Sequence, residues 1–205
     1  MIKKNNLDAE IVVVNDGSID NTRNICEELT KKSRFIKLVN HEINMGYSQA
    51  LSTGIKQASN EYIIPIDSDE QFDVNDVTIF LEEHYQTGSN VIFGYRVKRK
   101  GVFLRKLISF GMTKITNILF GSKFKDTQCV FQFIKADILK SIDIVSPSFQ
   151  VPTEIKIKLA SLGHNYTQIP VTHLDRKQGE AKLKALKIIP PTITFLIRLK
   201  LKTLK

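Results

Sequence analysis

The 205-residue sequence has no tryptophan, and it holds only two cysteines, four histidines, ten glycines and six prolines. With so little glycine and proline, and with 42% hydrophobic residues, collagen-like and disordered classes are excluded. Cys26 and Cys129 stand far apart, without CxxC or Cys/His spacing, so two reduced thiols in a cytosolic setting are expected rather than a bridge. The histidines are scattered singly, which argues against a zinc cluster. No segment has the roughly 20 consecutive apolar residues that a membrane span requires. The opening MIKKNNLDAE has no apolar stretch before Ile11, so no signal peptide is expected. What is left is an ordinary globular composition, with enough chain for one sizeable domain or two cramped ones.

The net charge of +9 is unevenly spread. Residues 1–93 carry eight basic and fifteen acidic side chains, whereas residues 94–125 carry nine basic and none acidic. The last thirty residues, 176–205, add nine basic against one acidic. Two basic segments behind an acidic half point to an anionic partner. Nucleic acid fits poorly as that partner, because Phe and Tyr are not interleaved with the Lys/Arg runs in an RNA-binding pattern.

Along the first half, short β-branched runs alternate with amphipathic ones. Strands are expected at Ile11–Val14, Phe35–Val39, Glu61–Ile66 and Val91–Tyr95. Helices are expected from an Asp20 cap to Lys32, over Tyr47–Ala58 and over Asn75–His84. This order predicts an α/β fold with a mostly parallel sheet flanked by helices, and ligands at the carboxyl ends of the strands. Asn15–Asp20, Asn40–Gly46 and Asp67–Gln71 stand at such ends. Further on, Val102–Phe120 and residues 184–204 read as basic amphipathic helices suited to a membrane interface, the latter broken in two by Pro190-Pro191.

Asp67-Ser68-Asp69 follows the apolar run Tyr62–Ile66. Two carboxylates two residues apart at a strand end can converge on one hard divalent cation, Mg²⁺ or Mn²⁺. Such an ion suits a diphosphate leaving group.

Taken with IVVVNDGSIDNT (Ile11–Thr22), NMGYSQALSTGIKQA (Asn44–Ala58), IDSDEQ (Ile66–Gln71), FGYRV (Phe93–Val97), KDTQCVFQFIKADIL (Lys125–Leu139) and PVTHLDRKQGEAKL (Pro170–Leu183), this motif gives the chain a strong likeness. The sequence resembles the family 2 glycosyltransferases of the GT-A fold, within them the dolichol-phosphate mannosyltransferase-like, or polyprenyl-phosphate, group. The resemblance implies a GT-A domain over residues 1–175, with a nucleotide-sugar half (1–93) and an acceptor half (94–175). Residues 176–205 would form a basic amphipathic tail. It also implies that Asp16 contacts the donor nucleoside and that Asp67 and Asp69 form the metal and diphosphate site. Gln71 would lie beside the donor sugar. Asp126 and Gln128 match the active-site floor, where Val130 replaces a glycine, so that Asp69, Gln71, Asp126 and Gln128 make up the expected catalytic set. Arg96, Arg105, Arg176 and Lys182 would serve the acceptor phosphate. His173 belongs to the same closing segment, in which Ala181 replaces a serine.

The expected reaction moves a sugar from a UDP- or GDP-sugar to a polyprenyl monophosphate, dolichyl or undecaprenyl, with inversion. Such an acceptor is already an anion and needs little general base. The basic helices would hold the protein at the cytoplasmic face of an anionic membrane. A family 2 enzyme acting on a sugar hydroxyl is the alternative, and it would need a carboxylate base such as Glu154 or Asp126. The likeness also carries an expectation about the N-terminus. Family members place a strand and a helix before the NDGS strand, which here begins at Ile11. The resemblance thus implies a shortened form, with weak stability and weak or absent donor binding.

Overall fold

In the computed structural model of the protein, the described residues are 7–97, 103–146, 149–174 and 189–203. They form an α/β fold in two compact units, Met1–Ile63 with Lys135–Val151, and Ile64–Ile134 with Pro152–Lys205. This division cuts the chain before the Asp67–Gln71 motif, not after residue 93 where the charge changes sign.

In the first unit, β1 (Ile11–Asp16) pairs in parallel with β2 (Ile36–His41), from Ile11 opposite Ile36 to Asp16 opposite His41. Helix α1 (Thr22–Lys32) packs beside β2, and α2 (Tyr47–Gln57) packs on β1. Asp20 is not the cap residue of α1. That position falls to Asn21, while the Asp20 carboxylate accepts the Thr22 N–H at 3.0 Å. The expected third strand shrinks to β3 (Tyr62–Ile63). Pro65 supplies no N–H to prolong a ladder. Apolar burial in this unit is sparse. α1 has no buried residue, and Ile55, Ile63, Leu139, Ile142 and Val151 supply most of the core.

The second unit holds the larger core. A 3₁₀ turn at Val74–Asp76 leads into α3 (Val77–Thr87), followed by β4 (Val91–Arg96) and α4 (Phe103–Phe120). Strand β4 is central: β5 (Gln132–Lys135) runs antiparallel on one side and β6 (Thr167–Val171) parallel on the other. Between them lie α5 (Ala136–Lys140), which belongs to the first unit and packs against α2 and β3, and α6 (Val151–Ser161). Phe80, Phe93, Phe131 and Phe133 are fully buried here. Gly94 is required in β4, since a Cβ there would stand 2.5 Å from the Phe131 carbonyl oxygen.

The chain ends in α7 (Ile189–Thr203), which packs on α4. Pro190 and Pro191 stand in the first turn of this helix, and residues 184–188 of the expected tail lie outside the described residues. The first turn has no intrahelical partner for its N–H groups, so proline costs nothing there. No helix among the described residues is long and apolar enough to cross a membrane.

Candidate active site

Each unit gathers one cluster of the motif residues. In the first, β1 ends at Asp16 and the chain must turn at once. Gly17 makes that turn with φ +64°, and a Cβ on it would lie 2.4 Å from the backbone of Ile43 and Asn44. The glycine thus lets the two loops touch. The Asp16 carboxylate accepts the N–H groups of Met45 (2.9 Å) and Gly46 (2.8 Å). His41 Nδ1 lies 2.7 Å from Asp16 Oδ1, and its Nε2 lies 3.0 Å from Thr53 Oγ1. Asn15 and Asn40, the neighbouring register pair, bond side chain to side chain at 2.9 Å. Burial would raise the Asp16 carboxyl, but the bonds from His41, Met45 and Gly46 outweigh it and hold the group below the usual carboxylate range. The carboxylate is therefore ionised and fixed before any ligand arrives.

The second cluster begins with the Asp67–Gln71 loop. Asp67, Asp69 and Gln71 are half-buried. Asp69 Oδ1 accepts the Gln71 N–H at 3.2 Å across Glu70, which adopts φ 57°. Beyond it the loop is strapped to the segment after β6. Leu174 N–H donates to the Gln71 carbonyl at 2.9 Å, and Phe72 bridges His173 in antiparallel fashion. The Phe72 and His173 rings meet edge to face at 5.6 Å.

Arg96, at the end of β4, meets Asp126 in a two-pronged pair, Nε to Oδ2 at 2.6 Å and Nη2 to Oδ1 at 2.9 Å. Only 8% of the Arg96 side chain is exposed. Burial alone would raise the Asp126 carboxyl, but Arg96 and then Lys156 drive it far below the usual range. Asp67 also lies within the field of Arg96. From Asp126 the loop runs to Gln128, whose Oε1 accepts from Ser109 of α4 at 2.8 Å. Lys156 of α6 is fully buried, and its Nζ donates to the Asp126 carbonyl at 2.7 Å and the Cys129 carbonyl at 3.0 Å. Burial pushes the Cys129 thiol up to about 11, so it is neutral at neutral pH.

The second unit thus brings together Asp67, Asp69, Gln71, Arg96, Asp126, Gln128 and His173, and the first unit holds Asp16. Arg105 lies in α4, with its side chain outside the described residues, and Arg176 and Lys182 lie outside them altogether. Among the described residues no group of three or more His, Cys, Asp or Glu side chains is placed to hold a metal ion. Sequence reading passed over His41 and Lys156. His41 carried a signal, since parallel pairing of the two strands in register sets it opposite Asp16. Lys156 carried none, for a lone lysine in a helix reads as a solvated residue.

Among curated proteins, the chain is 27% identical over 176 residues to the dodecaprenyl-phosphate galacturonate synthase of Rhizobium johnstonii, covering 84% of this chain and 52% of that one. It is 31% identical over 150 residues to the dolichyl-phosphate beta-glucosyltransferase ALG5D of Trichomonas vaginalis, covering 68% and 46%. The chain therefore spans about half the length of these two relatives. Among solved structures it superposes on glucosyl-3-phosphoglycerate synthase of Mycobacterium tuberculosis in complex with Mn²⁺, UDP-glucose and phosphoglyceric acid. That match has TM-score 0.65 at 15% identity, over 98% of this chain and 72% of that one, and it establishes a GT-A-like fold. The family model for glycosyl transferase family 2 matches residues 1–143, and the chain belongs to that family.

Proposed function

We propose that the chain transfers a sugar from a UDP- or GDP-sugar to the phosphate of a polyprenyl lipid, with inversion at the anomeric carbon. One observation carries the choice of acceptor: both carboxylates that could activate a sugar hydroxyl are engaged. Asp126 is held by Arg96, and the fully buried Glu154 lies 2.6 Å from Lys158. Glu154 is closed off from solvent, and Asp126, its carboxyl held far below the usual range, is a poor proton acceptor. A lipid phosphate oxygen is already an anion and needs none. The names of the two curated relatives, one dodecaprenyl-phosphate and one dolichyl-phosphate, support the same acceptor chemistry.

In this reading Asp16 receives the donor nucleoside, and Gln71 lies beside the donor sugar. Asp67 and Asp69 fit a divalent cation of the Mg²⁺ or Mn²⁺ kind. Two half-buried carboxylates two residues apart are a sufficient protein share when the donor's diphosphate supplies other oxygens. The chemistry such a cation supplies is neutralisation of the leaving diphosphate. With Nε and Nη2 on Asp126, Arg96 keeps Nη1 for an acceptor oxygen. Arg105, Arg176 and Lys182 supply the remaining positive charge. Gln128, oriented through its oxygen by Ser109, has its amide nitrogen left to donate.

The acceptor is reached from the cytoplasmic face of an anionic membrane. Leu107, Phe110, Lys114 and Ile118 form an exposed stripe on α4 at helical spacing, with Lys114 Nζ 4.8 Å above the Phe110 ring. Ile197, Arg198 and Leu201 are exposed on α7. Such faces lie in the headgroup region, and each basic residue adds roughly 1 kcal/mol at an anionic surface. The test is to supply radiolabelled UDP- and GDP-sugars with a polyprenyl phosphate. Label moving into an organic-extractable, mild-acid-labile product is the expected result. Label appearing only in a water-soluble or acid-stable glycan would assign the acceptor to a sugar hydroxyl instead.

A further inference from the structure

The segment 126–129 has almost no regular structure of its own, yet it carries Asp126 and Gln128. Two helices hold it. From α4, Ser109 Oγ donates to Gln128 Oε1 at 2.8 Å, and Thr113 Oγ1 lies 3.2 Å from Thr127 Oγ1. From α6, Thr153 Oγ1 donates to the Thr127 carbonyl at 3.0 Å, and one turn later Lys156 Nζ takes the carbonyls of Asp126 and Cys129. Three of the four carbonyls in this segment are thus captured by one face of α6.

Lys156 is an unusual residue for that task. All but three of the eleven residues of α6 are buried, and a leucine or methionine at 156 would satisfy the packing. A buried amine instead has to recover its lost hydration from the protein. Here it does so from two carbonyls, from the Phe93 ring whose centroid lies 5.4 Å away, and from the ionised Asp126. Each of these ties Nζ to the segment or to β4 beside it. An apolar side chain would fill the same volume and fix none of those groups.

We infer that Lys156 is a positioning residue: from inside the core it sets the conformation of the 126–129 segment, and through it the places of Asp126, Arg96 and Gln128 at the acceptor side of the site. Its function in turnover rests on the glycosyl transfer proposed above; its hold on the segment does not. The test uses the full chain with Lys156→Met, which keeps the volume and removes every donor, and Lys156→Gln, which keeps a neutral donor and serves if the methionine variant fails to fold. The first readout is amide hydrogen exchange of the peptide spanning 124–132. Exchange there should rise tenfold or more in Lys156→Met, with β4 and β6 unchanged, and Lys156→Gln should restore part of the protection.

The second readout is steady-state transfer. The turnover number should fall at least tenfold in Lys156→Met while the KM for the nucleotide-sugar stays within twofold, and Lys156→Gln should recover part of the loss. Unchanged exchange across 124–132 in both variants would overturn the inference. So would a loss of turnover matched by an equal rise in donor KM, or exchange rising uniformly over the whole chain. If exchange rises as expected but the unmodified chain transfers no sugar, the proposed reaction fails and the positioning of the segment stands.

Discussion

Asp126 shows how one residue can couple the site to stability. Its pairing with the buried Arg96 depresses the carboxyl from its ordinary value near 4. A depressed carboxyl stabilises the fold fully above that ordinary value, and the contribution is lost as pH falls toward the folded one. The chain should therefore hold a flat stability above about pH 5 and weaken steadily below pH 4. Asp126→Asn leaves Arg96 buried without its partner and should cost about 3–5 kcal/mol at neutral pH, with a flatter acid limb, as read from urea titrations at several pH values. An acid limb as steep as in the unmodified chain would assign the effect to other carboxylates. Asp69→Asn should behave oppositely: melting unchanged, transfer lost, and the same loss in the unmodified chain with excess EDTA. Full activity under either condition removes the cation from the site. Asp67 and Asp69 were legible in the sequence because an acidic pair after an apolar run is conspicuous, whereas Asp16 and Asp126 were singled out by the family resemblance. Lys156, Ser109 and Thr153 were not, because their partners are carbonyls and amides of a segment many residues away, and a carbonyl has no signature in the sequence.

Among the elements, β1 and β2 were legible from their apolar runs, although both strands extend past the expected ends at Val14 and Val39, and their pairing register appears only in the structure. The turn that leaves β1 depends on Gly17. Gly17→Ala brings a Cβ against the Ile43–Asn44 backbone in a positive-φ conformation and should cost about 1–3 kcal/mol. Because that loop holds Asp16, donor affinity measured by calorimetry should fall along with the melting temperature. Pro65 and Pro190-Pro191 act in different ways. Pro65 follows a strand shorter than its apolar neighbours had promised, whereas Pro190 and Pro191 sit in the first turn of α7. Position within the element decides a proline's effect, and position is the least legible property of a sequence. The exposed stripe of α4 gives its own prediction. Phe110→Glu and Ile118→Glu should each weaken sedimentation with anionic vesicles severalfold without lowering the melting temperature, and binding of the unmodified chain should fall as salt rises. Vesicle binding unaltered by both substitutions would move the contact away from α4.

At the scale of the whole molecule, the alternation of strands and helices announced an α/β fold, and the motifs announced the family. Their order did not announce how unevenly the core is shared. The second unit stacks four fully buried phenylalanines, whereas α1 in the first unit buries none of its residues. Hydrophobic burial is the main term that keeps a helix closed, so the difference has a consequence for digestion. A protease needs several residues of unfolded chain, and its rate follows how often a segment opens. Trypsin should cut after Arg23, Lys31 and Lys32 in α1 well before it cuts after Lys156 or Lys158 in α6, although both helices have the same length. Peptide mapping over a time course reads this order directly. If a nucleotide-sugar binds at Asp16, adding it should slow the α1 cuts and leave those in α6 alone, so a thinly buried helix becomes a reporter of whether the donor is bound.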